Sequence, residues 1–192
     1  MDGCKVLLWN TPQHFYNNRC CGRRHRCDEF ERTLENSHSV EAKILMKLLV
    51  ICQYYYPEPF RISDICEALV EKGHQVTVLT GLPNYPEGKV LDSYRSGKNR
   101  KEVINGVDVI RSFEIGRGNR KATLLLNYFS FALSASYKTL FMKEKFDAVF
   151  VNQLSPVMMG FPAMVYKKKH NKKMLLYCLD LWPASLVAGG IQ

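Results

Sequence analysis

A chain of 192 residues with a hydrophobic share of 46% carries enough apolar mass for a packed core, which excludes a wholly disordered protein. Its formal net charge is +9, and because residues 1–45 hold seven basic and six acidic side chains, nearly all of the excess belongs to 46–192. Such a field suits nucleic acid, anionic lipid or phosphorylated small molecules. Seven cysteines, an odd number without regular spacing, argue against a disulfide framework and for a reducing compartment.

Residues 1–45 have no apolar period and cluster their polar residues at Cys20-Cys21-Gly22-Arg23-Arg24-His25-Arg26-Cys27. They read as a poorly ordered leader ahead of a natural start at Met46. Cys20, Cys21, His25 and Cys27 lack the intervening loop of paired Cys-x-x-Cys or His-x-x-x-His ligands, so no metal is expected. The first apolar run, Val6-Leu7-Leu8-Trp9, is far shorter than a signal-peptide core.

From Met46 the pattern alternates. Lys47 to Cys52 is a continuous apolar run suited to a strand buried on both faces, and Arg61 to Lys72 sets Ile62, Ile65, Leu69 and Val70 on one helical stripe that Gly73 ends. Gln75 to Thr80 is a second strand, completing a βαβ unit. A loop through Pro83, Asn84, Tyr85, Pro86 and Gly88 leads to two short runs, Glu102 to Ile104 and Val107 to Phe113, joined by the hairpin signal Asn105-Gly106. Lys121 to Lys143 is a long helix with apolar positions at Leu125, Tyr128, Ala132, Ala135 and Leu140. Within it, Leu124 to Met142 is the most membrane-like stretch of the chain, yet too polar for a span. Asp147 to Val151 is a strand, Ser155 and Pro156 open a helix running to the basic tract at Lys167 to His170, and Met174 to Leu179 is the last strand. Alternation of this kind predicts an α/β fold, a Rossmann-like parallel sheet with helices on both faces.

Ligands of such sheets bind beyond the carboxyl ends of the strands, which directs attention to Gln53–Arg61, Gly81–Gly88, Asn152–Pro156 and Asp180–Ser185. Arg61, at the mouth of a helix whose first amides also favour anions, suits a phosphate or is an ordinary surface arginine. The tyrosines 54–56 contact a ligand or cap the sheet edge; Asn84, Tyr85 and Pro86 form a contact or a stiff turn; Trp182 is recognition or packing. Asp180, directly after a buried strand, is open to three roles: general base, acceptor for sugar hydroxyls, or helix N-cap. No GxGxxG, P-loop or HExxH pattern and no acyl-transfer nucleophile setting is present, and neither helix-turn-helix nor RNP signatures suggest nucleic acid.

The segments "MKLLVICQYYYPEPFRISDICEALVEKGHQVTVLTGLPNYPEGKV", "LNYFSFALSAS", "NQLSPVMMGFPA" and "CLDLWPASL" together resemble the N-terminal half of bacterial family 4 glycosyltransferases, specifically the WbuB/WcaI-like subgroup of capsule, O-antigen and colanic-acid assembly. The resemblance spans residues 46–192 and leaves the leader 1–45 outside. It implies the N-terminal half of a GT-B fold: a Rossmann-like acceptor-side domain of a retaining enzyme that moves a sugar from a nucleotide-sugar to a lipid-linked saccharide without a metal or other cofactor. It also implies that the loop Gln53 to Arg61 lines the interdomain cleft, with Arg61 near phosphate and the tyrosines and Glu58 on the acceptor side. With the residues that follow the other strands, the candidate catalytic group is Asp180 and the candidate substrate contacts are Gln53, Tyr55, Glu58, Arg61, Asn84, Tyr85, Gln153, Ser155 and Trp182.

Two departures qualify these expectations. Pro57-Glu58-Pro59-Phe60 stands where many relatives carry a Gly-Gly pair, and no second Rossmann unit or EX7E-type donor motif appears before Gln192. The resemblance therefore implies a chain inactive by itself, completed by a donor-binding domain or a separate chain. The alternative of another class is a non-catalytic acceptor-binding or membrane-recruiting subunit of a split enzyme. A cytoplasmic protein, resting peripherally on the inner face of the plasma membrane through Lys121, Lys138, Lys143, Lys145 and the tract Lys167 to Lys173, completes the expectation.

Overall fold

The computed structural model describes residues 44–154 and 156–180, all within the compact unit that begins at Ile44. Six strands, β1 (Lys47–Ile51), β2 (Gln75–Thr80), β3 (Lys101–Ile104), β4 (Val107–Arg111), β5 (Ala148–Gln153) and β6 (Lys173–Cys178), form one sheet in the order β3-β4-β2-β1-β5-β6. Every pair is parallel except the β3–β4 hairpin. The chain thus moves outward from β1 through β2 to β4, then returns to the other side of β1 for β5 and β6. This is a doubly wound, Rossmann-like α/β sheet, with its reversal of strand order between β1 and β5.

Three helices cover it: α1 (Ile62–Glu71), α2 (Lys121–Phe141) and α3 (Phe161–His170). Because alternate side chains of a strand leave on opposite faces, β1 divides its apolar residues between two cores. Val50 and Cys52 pack with Tyr55, Ile62, Cys66, Val78 and Val109 under α1, whereas Leu49 and Ile51 pack with Phe131, Ala135, Phe146, Ala163 and Tyr166 under α2 and α3. The Gly73 and His74 amides return to the Val70 and Leu69 carbonyls and close the end of α1. At the hairpin, Asn105 and Gly106 both have positive φ (49° and 80°), the twist that a two-residue turn between right-handed strands requires.

Two sequence expectations are corrected. The helix expected from Ser155 and Pro156 begins instead at Phe161, with Pro162 in its first turn. Pro156 is extended (φ −90°, ψ 168°) and a single 3-10 turn, Val157–Gly160, intervenes; Ser155 lies outside the described residues. In α2 the buried positions are Asn127, Phe131, Ala132, Ala135 and Thr139, so Leu125 and Leu140 of the expected stripe face outward. Small and hydroxyl side chains won the inner face because they allow close approach and bond the neighbouring backbone. Ser130 Oγ accepts the Ile115 amide at 3.0 Å, and the Ser134 hydroxyl donates to the Phe113 carbonyl. No helix of the described residues is long and apolar enough to cross a membrane.

Candidate functional site

The reversal point between β1 and β5 is where an open α/β sheet leaves a crevice, and a cleft of about 440 Å³ lies there. The loop after β1 and the start of α1 supply Pro59, Phe60, Arg61 and Ile62; β5 supplies Asn152, and the last strand supplies Tyr177. Arg61 is exposed and is the N-cap residue of α1, with no side chain capping the first turn and no ion pair of its own among the described residues. A guanidinium beside uncapped helix amides, with aromatic and amide side chains opposite, can hold a phosphate next to a sugar-sized group.

Behind the cleft, the loop from Gln53 to Arg61 is a built structure in which the three tyrosines have three tasks. Tyr54 stacks on Phe60 (5.0 Å between centroids, 15° between planes), and Tyr85 closes the cluster at 5.3 Å from Phe60. Tyr55 turns into the core against Cys52 and Cys66, where burial raises its hydroxyl well above the ordinary range and pushes the Cys66 thiol up to about 12. Tyr56 is exposed, but its carbonyl accepts a hydrogen bond from Arg111 Nη2 at 2.6 Å. Arg111 is itself fully buried, paired with Glu102 at 2.6 Å and lying on the Tyr94 ring, so the end of β4 holds the loop in place.

The second loop is attached to the first by carboxylates. Glu58, 4% exposed, accepts the Asn84 and Tyr85 amides at 2.8 and 2.7 Å. Burial raises its pKa, opposed by those amides. Deeper still, Glu114 Oε1 accepts from Gln53 Nε2 at 2.9 Å, from Asn84 Nδ2 at 3.1 Å and from Asn127 Nδ2. Gln53 Nε2 also donates to Asn127 Oδ1 at 2.8 Å. Burial pushes the Glu114 carboxyl up to about 8 despite these donors, which keeps it largely protonated at neutral pH. Its other oxygen, Oε2, has no partner and faces Gly81, where an added Cβ would also lie 2.9 Å from the Gln53 carbonyl oxygen. Only glycine leaves room for the carboxyl there.

The residues expected at the site therefore separate into groups. Arg61 lines the cleft, and Tyr85, partly exposed, stands on the aromatic cluster beside it with Arg117 5.9 Å over its ring. Gln53, Glu58 and Asn84 are buried and shape the loops from beneath, while Tyr55 is a core residue that reaches no ligand surface. Gln153 is also buried, its Nε2 donating to the Asp180 carbonyl at 3.1 Å, and it is the neighbouring Asn152 that reaches the cleft. Asp180 is partly buried next to Leu179 of the cleft; Ser155 and Trp182 lie outside the described residues. Glu114, Asn127 and Arg111 were not anticipated. For Glu114 and Asn127 the signal was a lone polar residue within an apolar run, at Phe113-Glu114-Ile115 and at Leu126-Asn127-Tyr128; Arg111, followed by Ser112, gave none.

Among the described residues no three His, Cys, Asp or Glu side chains are grouped to hold a metal, and the cysteine-rich leader falls outside them. No family model and no curated protein matches the chain. Among solved structures, the C-terminal domain of a hydrogenase from Pyrococcus furiosus is similar at 18% identity, covering 68% of this chain and 90% of that one, with a TM-score of 0.43.

Proposed function

We propose that residues 46–192 are the acceptor-side domain of a retaining glycosyltransferase of surface polysaccharide assembly, which binds a lipid-linked saccharide while a second domain or chain binds the nucleotide-sugar. This domain supplies the acceptor-binding side of the reaction, working on the cytoplasmic side where nucleotide-sugars are supplied. The observation that carries this reading is Arg61 at the uncapped N-terminus of α1, opening on a cleft at the strand-order reversal. The polar and aromatic side chains around it fit a diphosphate joined to a sugar.

The decisive experiment titrates the 192-residue chain with a short-chain polyprenyl-diphosphate monosaccharide by calorimetry. Binding is expected, weakened about tenfold by Arg61→Ala, or ~1.4 kcal/mol. No binding by the unaltered chain, or equal binding by the variant, would overturn the proposal.

A further inference from the structure

Helix α2 is apolar on both of its sides, with Phe131, Ala132 and Ala135 set into the core. Its sheet-facing side buries Asn127 and Thr139 and turns Ser130 and Ser134 to neighbouring backbone, while every exposed residue after Ala122 is apolar or aromatic. Leu126, Phe129, Leu133, Tyr137 and Phe141 recur at spacings of three and four, so they form one stripe along a helix of 21 residues. Leu133 is 70% exposed and Tyr137 67%. Phe113 and Ile115, bonded to the serines of α2 through their backbone, extend the patch sideways with exposed side chains of their own. An apolar surface of this extent in water marks a place where something else is bound.

The charges around the stripe select the partner. From Ile115 to Lys143 there is no acidic residue. Arg117, Arg120 and Lys121 stand before or at the start of α2, and Lys143 and Lys145 follow its end. Midway, Lys138 is close enough to Arg100 and Lys101 for both to act on it, and burial together with those two cations lowers its pKa. The nearest carboxylates, Glu102 and Glu144, are paired with Arg111 and Lys47, so an excess of cations remains that an anionic surface relieves. A second copy of this chain laid stripe to stripe would instead oppose one cationic frame to another, which is unfavourable.

We propose that α2 is an interfacial membrane-docking helix, lying in the plane of an anionic bilayer with Leu126, Phe129, Leu133 and Tyr137 at the headgroup–acyl boundary and Arg100, Lys101, Lys121 and Lys138 on lipid headgroups. The surface keeps Lys121 and Lys138 of the sequence expectation and adds the apolar stripe, Arg100 and Lys101; on α3, Lys169 is occupied, its Nζ donating to the Leu140 and Met142 carbonyls at the end of α2. Docking requires no sugar transfer, so it stands or falls apart from the glycosyltransferase reading.

Co-sedimentation of the full 192-residue chain with phosphatidylcholine vesicles, with and without 30% phosphatidylglycerol, is the test. Binding to the anionic vesicles is expected, weakened at high salt, and reduced at least tenfold by Phe129→Ser with Leu133→Ser. Both positions are exposed, so the thermal midpoint of that variant should match the unaltered chain. The independent pair Lys101→Glu and Lys121→Glu should lose anionic binding while leaving the apolar stripe intact. Absence of vesicle binding, or binding that both variants retain, overturns the proposal. So does a concentration-dependent dimer that the serine substitutions abolish in a chain indifferent to lipid.

Discussion

Helices α1 and α2 cover opposite faces of one sheet and satisfy burial in opposite ways. Under α1 the interface is apolar, with Ile62 and Cys66 set on Val50, Val76 and Val78, and its exposed side carries Asp64, Glu67 and Glu71. Under α2 the apolar centre of Phe131 and Ala135 is flanked by buried polar groups, Asn127 towards Glu114 at one end and Thr139 at the other, while leucines and aromatics face out. An apolar interface depends on area and shape, so it tolerates pH and salt. A buried polar one depends on every group keeping its partner, which makes it sensitive to protonation. The same sheet therefore has a face stabilised mainly by packing, with Ser63 and the Tyr55 hydroxyl as its buried polar groups, and a face whose stability is conditional.

The largest effect is expected on the α1 side. Ile62, 2% exposed, fills the space between α1 and β1, and Ile62→Ala should cost about 2–5 kcal/mol in chemical denaturation, equally at pH 5 and pH 8. A pH-dependent loss there would break the contrast between the two faces. On the α2 side, Gly81→Ala drives a methyl group against the Glu114 carboxyl and the Gln53 carbonyl, both buried and bonded. It should destabilise by about 1–3 kcal/mol. Wild-type stability in that variant would mean that the Gln53–Asn84–Glu114–Asn127 group yields easily.

The most specific expectation, read as a slope with pH and not as a single loss, concerns Glu114. Its carboxyl titrates at about 8 in the fold against an ordinary 4.5, so the folded state holds the proton more tightly than the unfolded chain. Its contribution is full below the ordinary value and is lost as pH rises through about 8. Unfolding free energy should accordingly fall by up to ~1.4 kcal/mol per pH unit across that window. Glu114→Gln keeps an acceptor for the three amide donors and removes the proton, so its stability should vary less with pH between 5 and 8. A variant with the slope of the unaltered protein would assign the dependence to another group.

Much of the framework was legible in the sequence because its causes are local. The alternation of apolar runs with helical stripes, the Asn105-Gly106 turn and the end of α1 at Gly73 each depend on residues next to one another, and apart from the start of α3 the structure places the element ends within a residue or two of expectation. Arg61 at the mouth of α1 followed from the same local reasoning. What only the tertiary structure decided is where polar groups find partners. Gln53 reaches Glu114 and Asn127 from 61 and 74 residues away, and Arg111 reaches Tyr56 from 55. Such pairings depend on the strand order, which brings the ends of β1, β2 and β4 together and leaves no periodic trace along the chain. The orientation of α2 was undecided for the same reason, since apolar residues surround it and only the hydroxyl and amide contacts to residues 113–115 select which side turns inward.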